Sequence, residues 1–289
     1  MASVINTNLL SLNAQRNTAA TQSSLATSMQ RLSSGLRVNS AKDDAAGLAI
    51  SERLNAQVRG SNVAIRNSND GISLSQTAEG ALSKVNDSLQ RMRELAVQAR
   101  NATNTSADKD SLDKEFGELA KEIQRVLGGT TFNGKAVLAT AAAGTQTFQV
   151  GANTTGNDRI DIVTTDMTAD ATITAVAGTD NTGNGRSTID STAAGTDIDT
   201  VITSIDAALD KVNGERATLG ASQNRFDAVI SNLQVAVENQ TAARSRIMDA
   251  DFAQETANMS RAQILQQAGN AMVAQANQLP QQVLSLLQR

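Results

Sequence analysis

The stretch AEGALSKVNDSLQRMRELAVQARNATNTSADKDSLDKEFGELAKEIQRVL, residues 78–127, decides the fold class. Its first part repeats apolar residues with the alternating four-three step of a coiled-coil seam: Ala78, Leu82, Val85, Leu89, Met92, Ala96 and Ala99. A turn at 101–106 follows, where Thr105 and Asp108 match the capping box that starts a helix. The second helix has its own seam: Leu112, Phe116, Leu119, Ile123 and Val126. Because the connection is short, we predict antiparallel neighbouring helices.

A third seam of this kind lies in the C-terminal half of the chain. Its apolar residues are Ile198, Ile202, Ile205, Leu209, Val212, Leu219, Phe226, Ile230, Leu233 and Val237. Polar residues occupy seam positions only at Arg216 and Gln223. We therefore predict one long helix over residues 197–240.

The middle of the chain has a different pattern. In FQVGANTTGNDRIDIV, residues 148–163, apolar side chains alternate with polar ones on both sides of a loop rich in Gly, Asn and Thr. This alternation predicts a small β-hairpin. Residues 166–196 are mostly Thr, Ala, Asp, Gly, Asn and Ser. We expect them to form a short variable surface segment that cannot bury a core.

The two chain ends, residues 1–34 and 251–289, have helical periodicity again, and breaks are expected at 35–47 and 241–250. The last helix has one continuous apolar stripe: Leu265, Ala268, Met272, Ala276, Leu279, Val283 and Leu286. An isolated helix is marginal in water, so these ends need partners. Copies joined by a contact that does not close would form an open helical polymer. A discrete bundle and a rod-like dimer remain open as alternatives.

Composition excludes several classes of function. The chain of 289 residues has no His, Cys, Trp or Tyr and a net charge of −4, which gives no basic surface for nucleic acid. Without His or Cys, the usual catalytic bases and transition-metal ligands are missing, so we expect no enzyme activity, cofactor or metal. No stretch approaches the roughly 18 apolar residues of a membrane span. The chain is therefore expected to be a structural protein without membrane insertion.

Two shorter features concern processing and ion binding. The start, MASVINTNLLSLNAQRN, lacks the basic region and apolar run of a signal peptide, so any export is expected to leave it uncleaved. Near the last helix, Asp249, Asp251 and Glu255 could suggest a cation site. Their spacing is not that of an EF-hand, and helix capping is the preferred interpretation.

Several long motifs resemble bacterial flagellin. They include RLSSGLRVNSAKDDAAGLAIS, LQRMRELAVQARNAT, the TFNG turn and the ending NMSRAQILQQAGNAMVAQANQLPQQVLSLLQR. The resemblance covers residues 1–165 and 197–289. It implies a mainly α fold, in which long coiled-coil helices from both chain ends form the D0 and D1 layers around a small β-hairpin region. With little between 166 and 196, the chain resembles a minimal flagellin.

The resemblance also implies a division of the chain. The expected parts are an N-terminal D0 helix (1–34), a linker (35–47), N-terminal D1 with two helices and the β-hairpin (48–165), a variable surface segment (166–196), the C-terminal D1 helix (197–240), a linker (241–250) and the C-terminal D0 helix (251–289). The function implied is that of a subunit that self-assembles into the extracellular flagellar filament, a propeller for motility. The alternative is a hook–filament junction protein of the same superfamily.

Partners follow from the same resemblance. They are other copies of the chain, a flagellar export chaperone, the cap and hook-junction proteins, with export through a type III apparatus. Arg91, Leu95 and Glu115 match positions contacted by a host Toll-like receptor. We place Arg91 and Leu95 on one helical face offset from the seam, and Glu115 on the next helix of the proposed hairpin. Leu284, Leu286 and Leu287 match leucines read by NAIP-type receptors. The predicted assembly seam comprises Leu265, Met272, Leu279, Val283 and Leu286.

Overall fold

A computed structural model describes residues 7–139 and 144–287, with side chains described as far as Gln278. Within this part of the chain there are six α-helices: α1 (Leu9–Ser34), α2 (Ala45–Ala99), α3 (Ser106–Gly129), α4 (Ala171–Ala177), α5 (Gly195–Met248) and α6 (Phe252–Leu287). The strands are β1 (Thr131–Phe132), β2 (Lys135–Ala136), β3 (Gly144–Gln149) and β4 (Arg159–Thr164). With 73% of the described residues helical, the predicted mainly α fold class is confirmed.

The chain divides into two compact units. We call residues 1–56 with 238–289 the terminal unit and residues 57–237 the central unit. Helix α5 continues to Met248, through most of the segment 241–250 that we expected to be a linker. Residues 241–248 contain no Gly or Pro, so nothing in them interrupts a helix before Asp249.

The core of the central unit is the predicted seam of α2. Each of its seven residues, from Ala78 to Ala99, is at most 1% exposed. On α3, Phe116 and Ile123 are fully buried and the other seam residues pack against the same core. The capping box at the start of α3 is confirmed, because the Thr105 hydroxyl accepts from the Asp108 amide and the Asp108 carboxylate accepts from the Thr105 amide.

Helix α5 completes this core with Phe226, its largest buried residue. The ring lies against Gly71 of α2, where a Cβ atom would be 2.7 Å from the Phe226 Cζ atom. It also meets the Phe148 ring edge-on, with 5.7 Å between ring centroids. The two polar residues of the α5 seam share one partner, since Arg216 and Gln223 both contact the Glu79 carboxylate, at 3.9 and 3.0 Å. At these two positions of the seam, polar contacts with Glu79 therefore replace apolar packing.

Two antiparallel hairpins follow α3. Asn133 and Gly134 have positive φ angles of 50° and 76°, as the two central residues of a tight hairpin turn between β1 and β2 require. Strands β3 and β4 form the predicted second hairpin, in which Phe148 pairs with Ile160. Ile160 and the following inward-facing residues of β4 are buried, so the alternation in the sequence is a reliable guide here.

The expectation that residues 166–196 cannot bury a core is wrong. Five of their apolar side chains are fully buried in the central core: Met167, Ile173, Val176, Ala177 and Ile189. The polar residues between them close local turns; Asp166, Asp180 and Asp190 each accept the amide of the residue two positions later. These turns direct the few apolar residues inward, which an average over the composition does not reveal.

An ion pair fixes this segment to α3. The Arg186 guanidinium donates to both Asp113 carboxylate oxygens, at 2.9 and 2.5 Å. The Ile189 amide donates to the same carboxylate at 3.0 Å. Burial alone would raise the pKa of Asp113, but the hydrogen bonds from Arg186 and the Ile189 amide outweigh it and lower the pKa.

Candidate functional site

In the terminal unit, helices α1 and α6 lie antiparallel and are joined by polar contacts at both ends. Asn8 caps α1 by accepting the Ser11 amide, and its side-chain amide donates to the Ala276 carbonyl at 2.7 Å. The Ser11 hydroxyl donates to Asn277 Oδ1 at 2.7 Å. At the other end, Arg31 and Glu255 form an ion pair of 3.0 Å. These contacts fix the register of the two helices.

Between these ends, small side chains form the contact. Ser11 and Ser28 of α1 and Ala262 and Ala276 of α6 are buried. At Gly269 a Cβ atom would lie 2.7 Å from the Thr18 hydroxyl, so only glycine allows this close approach. The helices therefore approach each other closely while burying little apolar area.

Most of the large apolar residues of these helices stay outside that contact, although Leu25, Leu32, Met259 and Val273 are half-buried. Eight of them are between 51% and 68% exposed: Leu9, Leu10, Leu12, Met29, Phe252, Ile264, Leu265 and Met272. Leu10, Leu265 and Met272 line one surface groove of about 420 Å³ between α1 and α6, which we call the apolar groove. A contiguous apolar surface of this kind marks an interaction site, whereas single exposed apolar residues do not.

The structure divides the apolar stripe predicted for α6. Ala276 faces α1 and is buried, whereas Leu265 and Met272 are exposed. Leu265 and Met272 each follow a contact residue, Ala262 or Gly269, by three positions, so they flank the α1 contact. The remaining assembly positions Leu279, Val283 and Leu286 belong to α6, but their side chains lie outside the described residues, as do those of the predicted receptor residues Leu284 and Leu287.

The ion pair at the far end of α1 is largely shielded from water on the Glu255 side. The Glu255 side chain is 9% exposed and that of Arg31 is 30% exposed. Burial alone would raise the pKa of Glu255, but hydrogen bonding to Arg31 and Ser28 lowers it. Glu255 therefore stays ionised at neutral pH. Asp251, by contrast, caps α6 by accepting the amides of Ala253 and Gln254. The capping interpretation therefore holds for Asp251, whereas Asp249 accepts the Ser245 hydroxyl.

The predicted Toll-like receptor residues separate into two groups. Arg91 and Glu115 lie together on the surface of the central unit, with Arg91 Nε donating to Glu115 Oε1 at 2.9 Å. Leu95 is 1% exposed and belongs to the core, so its placement on an exposed face with Arg91 is wrong. Leu95 is the residue directly before the seam residue Ala96, and the core formed by α3 and α5 is wide enough to bury both.

Sequence analysis missed the residues that join α1 to α6. Asn8, Ser11 and Arg31 are polar, so a pattern of large apolar residues does not identify them. A usable signal was present in Ser11 and Thr18, two small residues seven positions apart that both contact α6. Small residues at this spacing indicate a close helix contact, as leucines at the same spacing indicate an apolar seam.

The described residues lack the features of two other classes of protein. No group of three or more His, Cys, Asp or Glu side chains among them could hold a metal ion. None of the helices in the described ranges is both long and apolar enough to cross a membrane. What the described residues do present is a pair of antiparallel terminal helices with exposed apolar faces. This arrangement defines a helical structural subunit of an assembly.

Comparison with known proteins identifies the family. Residues 5–143 match the family model "Bacterial flagellin N-terminal helical region", and residues 202–287 match "Bacterial flagellin C-terminal helical region". A flagellin of Halalkalibacterium halodurans is 46% identical over 98% of this chain and 99% of its own. A Bacillus subtilis flagellin is 42% identical over 98% and 99%. The chain belongs to the bacterial flagellin family.

A solved structure also resembles this chain. The crystal structure of a Bacillus cereus flagellin is 34% identical, covers 58% of this chain and 88% of that one, and has a TM-score of 0.47. Flagellins are structural proteins, so the prediction that the chain is not an enzyme is confirmed by its family. The chain is a structural subunit that self-assembles into the bacterial flagellar filament, outside the cell.

Proposed function

We propose that copies of this chain join when a terminal helix of one copy covers the apolar groove of another, and that the filament works as a propeller for motility. One observation supports this assignment above all. The α1–α6 contact uses small residues, while eight large apolar side chains of the same helices remain exposed. A soluble chain does not retain such a surface without a partner for it.

The proposed contact joins different surfaces on two copies. The apolar groove contains Leu10, Leu265 and Met272, whereas Ile264 lies on another face of α6. A contact between unlike surfaces continues from copy to copy, because each added subunit presents a free groove. The assembly seam includes Leu265 and Met272, and by resemblance to flagellins it extends to Leu279, Val283 and Leu286.

Seeded polymerisation tests this proposal. Purified Leu265→Asp and Met272→Asp variants are added to filament seeds, and elongation is followed by electron microscopy and by the monomer concentration left in solution. We expect both variants to fail to elongate, because each would bury an unpaired charge. Asn270→Asp is the matched control, since it adds the same charge at an exposed α6 position outside the groove.

The outcomes separate the proposed functions. Normal elongation by both groove variants would refute the placement of the seam. A parent chain that binds seeds but never extends them would favour the alternative, a hook–filament junction protein. Loss of elongation by Leu279→Asp as well would extend the seam along α6 in the direction that the resemblance implies.

We further propose that released monomer is recognised by innate immune receptors. Arg91 and Glu115 form an exposed charged pair that supports contact with a Toll-like receptor. Leu284, Leu286 and Leu287 are proposed as contacts for NAIP-type receptors. In reporter cells, Arg91→Ala should reduce signalling through the Toll-like receptor. Arg93→Ala, another exposed arginine of α2 that pairs with Asp206, should leave it unchanged; equal effects would contradict a specific role for Arg91.

The chain also needs partners for its export and for its assembly into the filament. We propose that the chain leaves the cell through a flagellar type III apparatus with its N-terminus uncleaved, and that it meets an export chaperone, the cap and hook-junction proteins. The chaperone is proposed to hold α6, whose exposed Leu265 and Met272 need cover before assembly. Co-purification from cells should therefore decrease for Leu265→Asp. Unchanged co-purification would place the chaperone contact elsewhere.

A further inference from the structure

Residues 178–191, which we call the strap, lie along one face of helix α3. The Ser191 amide donates to Asp110 near the start of α3, and Gln124 near its end donates to the Gly178 carbonyl. The strap therefore runs antiparallel to the helix. The α3 residues that lie against it are spaced three or four positions apart, as one helix face requires: Asp110, Asp113, Gly117, Lys121 and Gln124.

Little apolar packing holds the strap in place. Ile189 is its only large apolar residue and is fully buried. Its turn is closed locally, because the Thr179 amide donates to the Asn184 carbonyl at 3.0 Å. The Ser187 amide and hydroxyl donate to carbonyl groups of α4. A segment with few buried apolar contacts opens at a lower free energy than a helical core, so we expect the strap to open first.

Two carboxylates of α3 accept most of the hydrogen bonds between the strap and that helix. Asp113 accepts Arg186 Nη1 at 2.9 Å, Arg186 Nη2 at 2.5 Å and the Ile189 amide at 3.0 Å. Asp110 accepts the Ser191 amide at 2.9 Å. Hydrogen bonds to an ionised acceptor are roughly twice as strong as those between neutral groups. The negative charges of Asp110 and Asp113 therefore contribute most of the polar attraction that closes the strap.

Both carboxylates are ionised at neutral pH. Hydrogen bonds from Ser191 lower the pKa of Asp110. Burial raises the pKa of Asp113, but the hydrogen bonds from Arg186 and the Ile189 amide lower it by more. The lowered pKa values stabilise the closed strap above the ordinary value of 3.8, and this stabilisation is lost as the pH falls through the folded-state values. The other charged groups at this contact are Lys114 beside Asp110 and Asp190 beside Arg186.

We propose that the strap is acid-sensitive: it opens as one unit when Asp110 and Asp113 lose their charge, while the helical core of the central unit stays folded. Protonation removes the ion pair with Arg186 and leaves two neutral carboxyl groups as weaker acceptors. The seams of α2, α3 and α5 are held by apolar side chains, whose burial does not depend on protonation. Opening uncovers Ile189, so acid changes the surface of the central unit before it unfolds that unit. This inference does not rest on the proposed assembly contact.

Hydrogen exchange of the full-length monomer from pH 7 to pH 2 tests the acid response. The measured rates are corrected for the intrinsic pH dependence of amide exchange. We expect amides of the strap to lose protection below the ordinary Asp pKa of 3.8, at a pH where amides of the α2 seam, residues 78–99, are still protected. Loss of protection in the strap and in the α2 seam at the same pH would overturn the proposal.

Removing the charges at neutral pH tests the cause. Asp113→Asn should speed exchange in the strap about tenfold or more at pH 7, because it loses the ion pair, and should leave the α2 seam unchanged. Asp110→Asn should act in the same direction with a smaller effect. Asp161→Asn is the control, since Asp161 is an exposed carboxylate that accepts the Thr147 hydroxyl outside the strap. Its strap should exchange as in the parent chain.

Each result for these variants decides the proposal. The double variant Asp110→Asn with Asp113→Asn should already have an open strap at pH 7 and should show no further opening in acid ahead of the core. Strap exchange that is unchanged in both single variants, or equally fast in Asp161→Asn, would contradict the role of these charges. If circular dichroism shows that Asp113→Asn loses its helical signal, the core depends on this charge and the strap does not open independently.

Discussion

The two helical contacts of this chain use opposite kinds of side chain. Between α2, α3 and α5 the largest residues are inside, with Leu82, Leu89, Met92, Phe116 and Phe226 all fully buried. Between α1 and α6 the buried residues other than Glu255 are small, and most of the leucines and methionines are exposed. The periodicity of the sequence is similar in both units. In the central unit it gives a helix contact with a large apolar core, and in the terminal unit it gives a helix contact without one.

The difference teaches where each unit obtains its stability. Burying one large apolar side chain stabilises a fold by about 1.5–3 kcal/mol, so the buried side chains of the central unit can stabilise it within one chain. In the terminal unit the same contribution is available only when another molecule covers the exposed residues. The central unit is therefore complete in one chain, and we expect assembly to complete the terminal unit.

The largest expected effect on the folding of one chain is in the central core. Phe226→Ala removes the ring that packs on Gly71 and Phe148, and should lower the free energy of unfolding by about 3–5 kcal/mol. Denaturant unfolding of the monomer measures this change. Val235→Ala is the control, because Val235 is 58% exposed on the same helix and should change the value by less than about 0.5 kcal/mol. Similar losses for both variants would contradict the assigned core.

A smaller decrease in the free energy of unfolding is expected where residues 166–196 join that core. Arg186→Ala leaves the Asp113 carboxylate without its main partner and should cost about 1–3 kcal/mol at neutral pH. Because the folded-state pKa of Asp113 is lowered, this stability is present above the ordinary value of 3.8 and is lost as the pH falls through the lower folded-state pKa. Unfolding curves from pH 7 to 2 should show parent and variant converging in acid. A constant difference would exclude this linkage.

On the terminal helices, shortening an exposed apolar residue should hardly affect the monomer. Leu265→Ala should change the free energy of unfolding by less than about 0.5 kcal/mol, because Leu265 is 52% exposed. It should nevertheless raise the monomer concentration that remains beside filaments. Ala262→Leu provides the contrast, since it enlarges a residue that is buried between α1 and α6 and should weaken that contact itself, which would make the α1 and α6 amides exchange still faster. The reverse pattern would remove the distinction between the two faces of α6.

The smallest effect is expected at the exposed ion pairs of the central unit. Arg93 contacts Asp206 at 2.7 Å, but both side chains are nearly half exposed. Water and salt screen such pairs, so Arg93→Ala should leave the unfolding midpoint unchanged within error. A marked shift that disappears in high salt would show that surface charge contributes more to this unit than its apolar seam implies.

Local pattern predicted the parts of this fold that depend on spacing. The α2 seam, the Thr105 capping box and the β3–β4 hairpin follow from periodicity and turn chemistry, and the structure has all of them. Leu95 was misplaced because one-helix periodicity does not show how wide the surrounding core is. The burial of Ile189 was missed because its inward direction depends on distant contacts such as the Arg186–Asp113 pair.

The candidate site was predicted only in part, for a similar reason. Periodicity identified Leu265 and Met272 as members of an apolar stripe on α6. It could not show that Ala276 of the same stripe meets α1, because that choice depends on where small residues such as Gly269 allow a close approach. The face of a helix that stays exposed depends on how the two helices pair. It therefore cannot be read from the sequence of α1 or of α6 alone.

Hydrogen exchange, compared between the terminal helices α1 and α6 and the α2 seam, tests the central claim most directly. In a dilute, strictly monomeric sample, amides of α1 and α6 should exchange quickly while amides of the α2 seam, residues 78–99, stay protected. After seeded polymerisation both regions should be protected. Slow exchange in α1 and α6 of the monomer, equal to that of the α2 seam, would contradict the claim that the terminal unit is completed by assembly.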